Sequence, residues 1–198
     1  MTQLNARVAA EYKSSSSCCE GPVVYEYVVS DRLGSTSSKE QYAIIYNRRV
    51  FSVLNTYQYA AGVSGVFERP PYAALINVRN ASPAMQFALI DIHTDPDHAA
   101  REIDALVDAY DATLTYFGAS NAIVLGDYNA GCTYFSIADK LTNRFWNDTR
   151  VDWLIGDRVD TTTSVSTVCA YDRFVVSGGL TAGGFVNLTT PALFDFQA

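Results

Sequence analysis

The stretch of this chain best suited to chemistry is Asp127-Tyr128-Asn129, which follows the apolar run of residues 121–126. An aliphatic run closed by glycine predicts a buried strand, which places Asp127 and Asn129 at its carboxyl end. Residues two apart on an extended segment face the same way, so both side chains are expected to reach one pocket. A carboxylate there can serve a divalent cation or a water molecule, and an amide can donate to a phosphate oxygen. The pair suits phosphate ester chemistry, although an Asp after a strand also commonly caps a helix.

A histidine is predicted to reach the same edge. His93 follows the strand-like run of residues 85–92 and precedes a predicted helix, so it is expected to emerge beside Asp127. Its ordinary pKa suits a general acid next to a metal and a phosphate, whereas elsewhere a strand-end histidine is usually structural. Glu40 could orient the imidazole, and its other interpretation is a solvated strand end. The second histidine, His98, falls on the first helical turn and is interpreted as solvated.

Three further features accompany this site in the sequence. Asp172 precedes an apolar strand, in the same strand-edge position as Asp127. Arg69 could neutralise a phosphate, although an isolated arginine is usually a surface residue. Cys132 and Cys169 each lie a few residues from a candidate site residue, so a disulfide would tie two site loops together. Two unrelated buried thiols are an equally good interpretation, and no cysteine has the spacing of a zinc site.

The elements that must position these residues follow from the hydrophobic pattern. Turn residues predict two hairpins, one across residues 47–49 and one across residues 79–84. Residues 95–117 begin with Asp-Pro, keep apolar residues at helical spacing and stop at Gly118, which predicts one long helix. A shorter helix is predicted over residues 137–146, and the whole pattern indicates a layered α/β or α+β fold. The predicted strands are residues 23–29, 41–46, 50–59, 72–78, 85–92, 121–126 and 173–177.

Composition sets further limits. With 198 residues and 48% hydrophobic content, the chain has the size of one globular domain. Its net charge of -7 predicts a surface that repels nucleic acid, so DNA contact would need a local basic patch or bridging metal ions. No window is apolar enough to cross a membrane, and residues 1–13 lack the apolar core of a signal peptide. Residues 1–24 are predicted to be a loosely ordered segment ahead of one domain over residues 25–198.

Together these segments resemble the deoxyribonuclease I family, within the endonuclease/exonuclease/phosphatase superfamily. The Gly-Asp-x-Asn element of residues 126–129 is shared by many phosphoesterases of that superfamily. The Tyr-Gln-Tyr sequence of residues 57–59 and the Cys-Ala-Tyr-Asp-Arg sequence of residues 169–173 are specific to the deoxyribonuclease I branch, which disfavours a relative acting on lipid headgroups. The similarity runs from about Tyr25 to Ala198 and also includes residues 27–30, 33–34, 39–42, 52–56, 160–162 and 194–198.

The resemblance implies a four-layer α/β sandwich, with two packed and mostly antiparallel sheets flanked by helices. It implies hydrolysis of DNA phosphodiester bonds with magnesium (or manganese) and calcium, in an extracellular protein, although no signal peptide is present here. It also implies a role for each matching residue. His93 would be a catalytic histidine oriented by Glu40, and Asp172 would orient a second histidine. Asp127 and Asn129 would hold metal and scissile phosphate, Arg69, Asn129 and Tyr171 would contact the DNA substrate, Asp160 would hold a structural calcium, and Cys132 and Cys169 would form a disulfide.

The sequence departs from the family at both ends. The family begins with a strand bearing Asn and then a metal-binding Glu, and it ends with Ser-Asp-His; neither segment has a counterpart here. We therefore expect an incomplete chain that is a weak or inactive nuclease when alone, because losing part of a cooperating catalytic set removes most of the rate. The alternative is a catalytically inactive binding module, since Tyr27-Val28-Val29 matches the edge strand through which some members bind actin.

Overall fold

The computed structural model describes residues 23–37, 39–59 and 65–182 of the chain. The predicted loose segment over residues 1–24 lies, except for its last two residues, outside the described residues. In chain order the described elements are β1 (Tyr25–Val29), β2 (Ala43–Asn47), β3 (Phe51–Gln58), β4 (Tyr72–Val78), β5 (Met85–His93), a 3-10 turn (Pro96–His98), α1 (Ala99–Phe117), β6 (Ala122–Asp127), α2 (Ile137–Thr142), β7 (Val151–Trp153), β8 (Asp172–Ser177) and α3 (Gly179–Ala182).

The strands form a mixed sheet and a smaller one. Six strands lie in the order β3-β4-β5-β6-β8-β7, and β1 pairs with β2 in a separate two-stranded sheet. Only β5 and β6 run parallel among the described pairs, and α1 is the crossover that joins them. Because β5 and β6 are parallel, their carboxyl ends meet at one edge of the six-stranded sheet. That edge carries the candidate site.

The six-stranded sheet is covered on both faces. On one face α1 packs Ile103 and Leu106, both essentially buried, against strand residues such as Ile90. On the other face Ile44 of β2 packs with Phe87 of β5. Neighbouring residues of a strand point to opposite faces, so β5 supplies both cores. Burying each of these large aliphatic side chains contributes about 1.5 to 3 kcal/mol, which holds the three layers together.

The long helix and the second hairpin agree with the sequence prediction. Asp95 caps the helical start by accepting from the backbone N–H of Asp97 at 3.2 Å. Gly118 ends α1 with φ of 62°, a left-handed conformation that glycine adopts without strain. Strands β4 and β5 pair antiparallel, as predicted. None of the helices in the described part of the chain is both long and apolar enough to span a bilayer.

The first predicted hairpin is wrong. Strands β2 and β3 follow each other across residues 48–50 but do not pair, since β2 pairs with β1 and β3 with β4. The short connection instead carries the chain from the two-stranded sheet to the edge of the six-stranded sheet. Ile44 on β2 and Phe51 on β3 both pack into the core between the two sheets. Burial of both runs against that shared core decides the pairing.

The second predicted helix is shorter than expected. Helix α2 ends at Thr142, and Asn143 leaves the helix with φ of -70° and ψ of 124°. The side chain of Asn143 donates to the carbonyl of Ala100 at 2.9 Å, and the N–H of Arg144 donates to Asp104 at 2.7 Å. These bonds to α1 redirect the chain after one and a half turns. Helical periodicity alone could not reveal that competition.

Candidate active site

Three ionisable side chains meet at one edge of the six-stranded sheet. His93 ends β5, Asp127 ends the neighbouring strand β6, and Asp172 begins β8 on the other side of β6. His93 and Asp127 are a register pair, as are Asp127 and Asp172. The Nε2 atom of His93 lies 3.8 Å from Oδ2 of Asp127. The meeting of His93 and Asp127 expected from the sequence is therefore present, with Asp172 as a direct neighbour.

Glu40 holds the imidazole of His93 from the other side. Oε2 of Glu40 lies 2.7 Å from Nδ1 of His93, while Oε1 accepts from Nη1 of Arg69 at 3.0 Å. A carboxylate at this distance assigns the ring proton to Nδ1 and leaves Nε2 facing Asp127. A backbone bridge between Glu40 and Leu33 sets the position of the carboxylate. Glu40 is thus a partner of His93, not merely a solvated strand end.

Arg69 is buried among the same residues. It is 8% exposed, and it donates from Nε to the carbonyl of His93 and from Nη2 to the carbonyl of Thr94, each at 3.1 Å. Together with the bond to Glu40, three of the five guanidinium N–H groups are used inside the protein. The alternative that Arg69 is an ordinary surface arginine is therefore wrong. Arg69 supports the imidazole indirectly, through its hydrogen bonds to Glu40 and to the backbone of His93.

The loop after β6 turns back on its own carboxylate. The N–H of Asn129 donates to Oδ1 of Asp127 at 2.9 Å, and Asn129 has φ of 48°. The expectation of an extended segment is wrong here, because this side-chain turn bends the backbone. The buried Asn129 amide donates to the carbonyl of Thr94 at 3.0 Å. Asn129 therefore stays next to Asp127 but is fastened to the end of β5.

The charge of Asp127 acts on its neighbour. Burial raises the pKa of Asp172 above its ordinary value, and the carboxylate of Asp127 raises it further. A hydrogen bond with Thr161 and the charge of His93 act in the opposite direction. Two carboxylates that oppose each other in this way attract a proton or a cation to the space between them.

A cleft opens beside these carboxylates. It has a volume of about 350 Å³ and is lined by Asp127, Tyr171, Asp172 and the hydroxyl side chains of residues 161–164 and 167. The ring of Tyr171 packs against that of Tyr134, with centroids 5.6 Å apart. The walls of the cleft therefore offer carboxylate and hydroxyl oxygens together with one aromatic edge.

Asp160 organises the loop that forms the far wall. Its Oδ1 accepts from the N–H of Thr162 at 3.0 Å, from the hydroxyl of Thr162 at 2.8 Å and from the N–H of Cys169 at 3.2 Å. These bonds lower the pKa of Asp160, and the bond from the Thr162 backbone has the largest effect. The hydroxyl of Thr161 accepts from the N–H groups of residues 171–172 at 3.0 Å. The loop is thereby fastened to the start of β8.

Cys132 and Cys169 form a disulfide, with Cα atoms 5.8 Å apart. This confirms the pairing that the resemblance implied and excludes the alternative of two separate thiols. The bond joins the loop after β6 to the segment before β8. A Cβ on Gly131 would come within 3.0 Å of the carbonyl oxygen of Ala170, so glycine permits the close approach. Both sides of the cleft are held together at this point.

The donor set of the cleft decides which metal ion it suits. Within residues 23–37, 39–59 and 65–182, no group of three or more His, Cys, Asp or Glu is arranged to hold a metal ion. Asp127 and Asp172 nevertheless supply two hard oxygen ligands side by side. Magnesium commonly binds through one or two carboxylates and completes its shell with water and substrate phosphates. The residues present fit such a shared cation and do not fit one held by the protein alone.

Several positioning residues were not singled out in the sequence. The carbonyl of the buried Thr94 accepts hydrogen bonds from the side chains of Arg69 and Asn129. Because any residue type has a backbone carbonyl, this role could not be predicted from the residue type. The buried Arg173 donates to Asp157 at 2.7 Å and to the carbonyls of residues 130 and 155 at 2.6 Å. Tyr42 hydrogen-bonds the backbone of His93. Its spacing of two from Glu40 was a usable signal, because such residues share a face of an extended segment.

Comparison with known proteins places this geometry in context. The sequence model of the Endonuclease/Exonuclease/phosphatase family matches residues 3–193. Deoxyribonuclease gamma from Homo sapiens is 38% identical over 178 residues, which are 88% of this chain and 58% of that protein. Deoxyribonuclease-1 from Mus musculus is 39% identical over 183 residues, covering 89% of this chain and 63% of that protein. The chain thus spans about three-fifths of the length of these curated relatives.

Solved structures agree on the fold. A humanized TDP2 from D. rerio matches with a TM-score of 0.53 at 13% identity, over 77% of this chain and 61% of that chain. An endonuclease/exonuclease/phosphatase protein from Bacteroides vulgatus matches with a TM-score of 0.51 at 11% identity, over 77% and 64%. At such identities the likeness concerns the fold alone.

Proposed function

Because the chain belongs to the deoxyribonuclease I family of endonuclease/exonuclease/phosphatase proteins, we propose that it acts as a metal-dependent endonuclease on DNA phosphodiester bonds. The observation that carries the proposal is the imidazole of His93 between Glu40 at 2.7 Å and Asp127 at 3.8 Å. The fold that the proposal assumes is the four-layer sandwich of this family. It is supported by a six-stranded sheet with α1 on one face and the β1–β2 sheet on the other.

His93 is the proposed general acid. When its ring is doubly protonated, Nδ1 donates to Glu40 and Nε2 is free to protonate the leaving oxygen of the phosphodiester. Oδ2 of Asp127 lies 3.8 Å from Nε2, so the proposed transfer takes place beside that carboxylate. Arg69 donates to both Glu40 and the backbone of His93, so it keeps the pair aligned.

Asp127, with Asn129 and the facing Asp172, is the proposed holder of magnesium or manganese. The bound cation would polarise the scissile phosphate and lower the pKa of a bound water. The paired carboxylates support this role, since they would otherwise repel each other. A bridging cation would also let a chain of net charge -7 accept a polyanion.

Substrate contacts are assigned to Arg69, Asn129 and Tyr171. Tyr171 lines the cleft beside Asp127, where it can contact the sugar-phosphate chain next to the scissile bond. Asn129 keeps its amide close to Asp127, and we propose that it contacts the scissile phosphate. Arg69 retains two N–H groups beyond its three internal bonds, which supports a phosphate contact through the guanidinium edge.

We further propose a structural calcium at Asp160. Its carboxylate is kept ionised by the Thr162 hydrogen bonds, and the hydroxyls of the loop add neutral oxygen ligands of the type that calcium takes. Asp160→Asn should remove calcium binding measured by isothermal titration with calcium chloride. Asp152→Asn, an exposed aspartate on β7, is the matched control. Equal heats for both variants and the wild type would contradict the assignment.

This 198-residue chain is expected to nick DNA weakly or not at all on its own. Asp172 has no second histidine to orient, because the chain contains only His93 and His98, and His98 is bound to Asp95 at 2.7 Å. A cooperating catalytic set that lacks a member loses most of its rate.

Plasmid nicking with magnesium and calcium tests the proposal. His93→Ala should lower the residual nicking rate at least about 100-fold, because it removes the general acid. His98→Ala, the chain's other histidine, should leave the rate unchanged. If both variants nick like the wild type, the assigned site is wrong. If none nicks while all are folded by circular dichroism, binding of a short DNA duplex in the presence of calcium decides whether the cleft still takes DNA.

An extracellular location is the proposed setting. The disulfide between Cys132 and Cys169 supports it, because such bonds persist in oxidising compartments. The test is the redox state of the two cysteines in protein recovered from culture medium and from cell lysate. Protein found only in the lysate, with the two cysteines reduced, would oppose the proposal.

A binding module is the second candidate function. Tyr27 and Val29 lie on one face of β1 and are 53% and 44% exposed, and Ile45, opposite Tyr27, is 54% exposed. Among the described residues β1 pairs with β2 alone, and an exposed apolar strand face of this kind is a surface to which a partner protein can bind. Purified actin is the proposed partner. Val29→Lys should abolish its co-sedimentation with the chain, while Val50→Lys, at a residue that is also exposed, should not.

A further inference from the structure

The hydroxyl of Tyr42 is used twice in the structure. It accepts a hydrogen bond from the backbone N–H of His93 at 3.0 Å and donates one to the carbonyl of Arg69 at 3.1 Å. Tyr42 itself is fixed through Ser30, whose Oγ accepts from the Tyr42 N–H and whose N–H donates to the Tyr42 carbonyl, both at 2.9 Å. The phenol therefore joins three chain segments.

The bond to His93 replaces one that the sheet cannot provide. The register of β4 with β5 ends at the pair Tyr72 and Asp91. Continuing that register would bring Pro70 opposite His93, but the carbonyl of Pro70 accepts from the side chain of Gln58 at 3.1 Å. The end of β5 thus lies beyond the ladder of β4. The Tyr42 hydroxyl takes the place of the missing strand partner.

His93 is consequently held at three polar groups. Nδ1 is bound by Glu40, the carbonyl accepts from Arg69 Nε, and the N–H donates to Tyr42. Glu40 and Tyr42 are two residues apart, so one short segment hydrogen-bonds both the ring and the backbone of His93. The remaining polar atom, Nε2, is the one that faces Asp127.

We propose that Tyr42 is a positioning residue for His93, whose hydroxyl fixes the strand end so that the imidazole keeps its contact with Glu40. The inference rests on the proposed catalytic role of His93. Burial raises the pKa of the Tyr42 phenol, so the hydroxyl remains a donor throughout the working pH range. Tyr42 does not touch the cleft, and it acts only through the histidine.

The test compares Tyr42→Phe with Tyr46→Phe by NMR. Tyr46 lies on the same segment, but its hydroxyl bonds Glu26 at 3.1 Å, away from the site. Tyr42→Phe should speed hydrogen exchange of the His93 amide by about tenfold and broaden the downfield Nδ1–H signal of its ring. Tyr46→Phe should change neither. If the chain nicks DNA, Tyr42→Phe should lower kcat with KM unchanged.

Unchanged exchange and an unchanged ring signal in folded Tyr42→Phe would overturn the proposal. If that variant does not fold, the wild type decides. Its His93 amide should exchange no faster than the amide of Ile92, and exchange at the rate of an unprotected amide would exclude the bond to Tyr42. Both NMR measurements are independent of catalysis. An inactive wild type, which the proposed function already expects of this chain alone, would therefore leave this test intact, whereas equal nicking by His93→Ala and the wild type would count against the proposed function only.

Discussion

Asp127, at the end of β6, and Asp172, at the start of β8, are a register pair, so two carboxylates lie next to each other at one edge of the sheet. We predict that Asp127→Asn lowers the pKa of Asp172, because a neighbouring negative charge that raises it is removed. Carbon-13 NMR titration of the Asp172 carboxyl measures the shift. A pKa that stays the same or rises would contradict a charge effect of Asp127 on Asp172, and Asp152→Asn provides the control.

Gly126 lies where β6 passes close to the backbone of β5. Its φ is 140°, and a Cβ there would overlap the carbonyl oxygen of Ile92. We predict that Gly126→Ala costs about 4 kcal/mol or more of unfolding free energy, through overlap and backbone strain together. Gly118 has φ of 62°, and no atom lies within 4 Å of a Cβ added there. Gly118→Ala should therefore lower the unfolding free energy by about 1 kcal/mol. Urea unfolding of both variants makes the comparison, and equal losses would contradict the overlap.

Asp91 makes stability depend on pH. Burial raises its pKa from 3.8 to about 7, and burial also raises the pKa of Glu102 from 4.5 to about 7. The folded state then holds more protons than the unfolded state between about pH 4 and pH 7, so stability should fall as pH rises through that window. The same carboxylates are neutral in the folded state below it, where the penalty disappears.

The matching variant is Asp91→Asn, which removes the buried charge. The difference between pKa values of 3.8 and about 7 corresponds to about 4 kcal/mol, so the variant should gain on that order at pH 8 and about two fifths of it at pH 5. Urea midpoints at the two pH values measure the gain, with Asp152→Asn as the exposed control. A gain that is equal at both pH values would show that Asp91 is not the titrating group.

The disulfide should contribute strongly to stability. Cys132 and Cys169 are 37 residues apart, and closing a loop of that size stabilises the folded state by about 4 kcal/mol in the chain-entropy model. Cys132→Ser should therefore lower the unfolding free energy by that order. Adding dithiothreitol to the wild type should reproduce the loss, whereas it should leave the variant unchanged. A wild type indifferent to the reductant would contradict the prediction.

Local signals made some of these elements predictable. Helix α1 is marked by its Asp-Pro start, its apolar spacing and Gly118, all of which act within a few residues. The meeting of His93 and Asp127 followed from two strands that end with polar residues. The pairing of β2 could not be predicted in the same way, because a strand's partner depends on which apolar surfaces are buried together. The extended conformation expected for residues 127–129 was wrong, because a side-chain turn of Asp127 onto the Asn129 N–H bends the backbone, although Asn129 does lie next to Asp127.

The family resemblance predicted contacts that the spacing of the residues left open. It supplied the disulfide between Cys132 and Cys169, which spacing alone left open. For Glu40, which the residues alone left as either a partner of His93 or a solvated strand end, the resemblance favoured the partner, and the structure places the two side chains 2.7 Å apart. It did not supply Tyr42 or Thr94, because their contacts involve backbone atoms and a single hydroxyl.

The contacts around His93 span long stretches of the chain. Glu40 is 53 residues away, Tyr42 is 51 residues away, and Asn129 is joined to Thr94 across 35 residues. Closing the loops between residues this far apart costs conformational entropy, so we expect these contacts to form late in folding. A partly folded chain would therefore possess secondary structure but no aligned histidine. Any nicking by this protein would therefore report that these long-range contacts have formed.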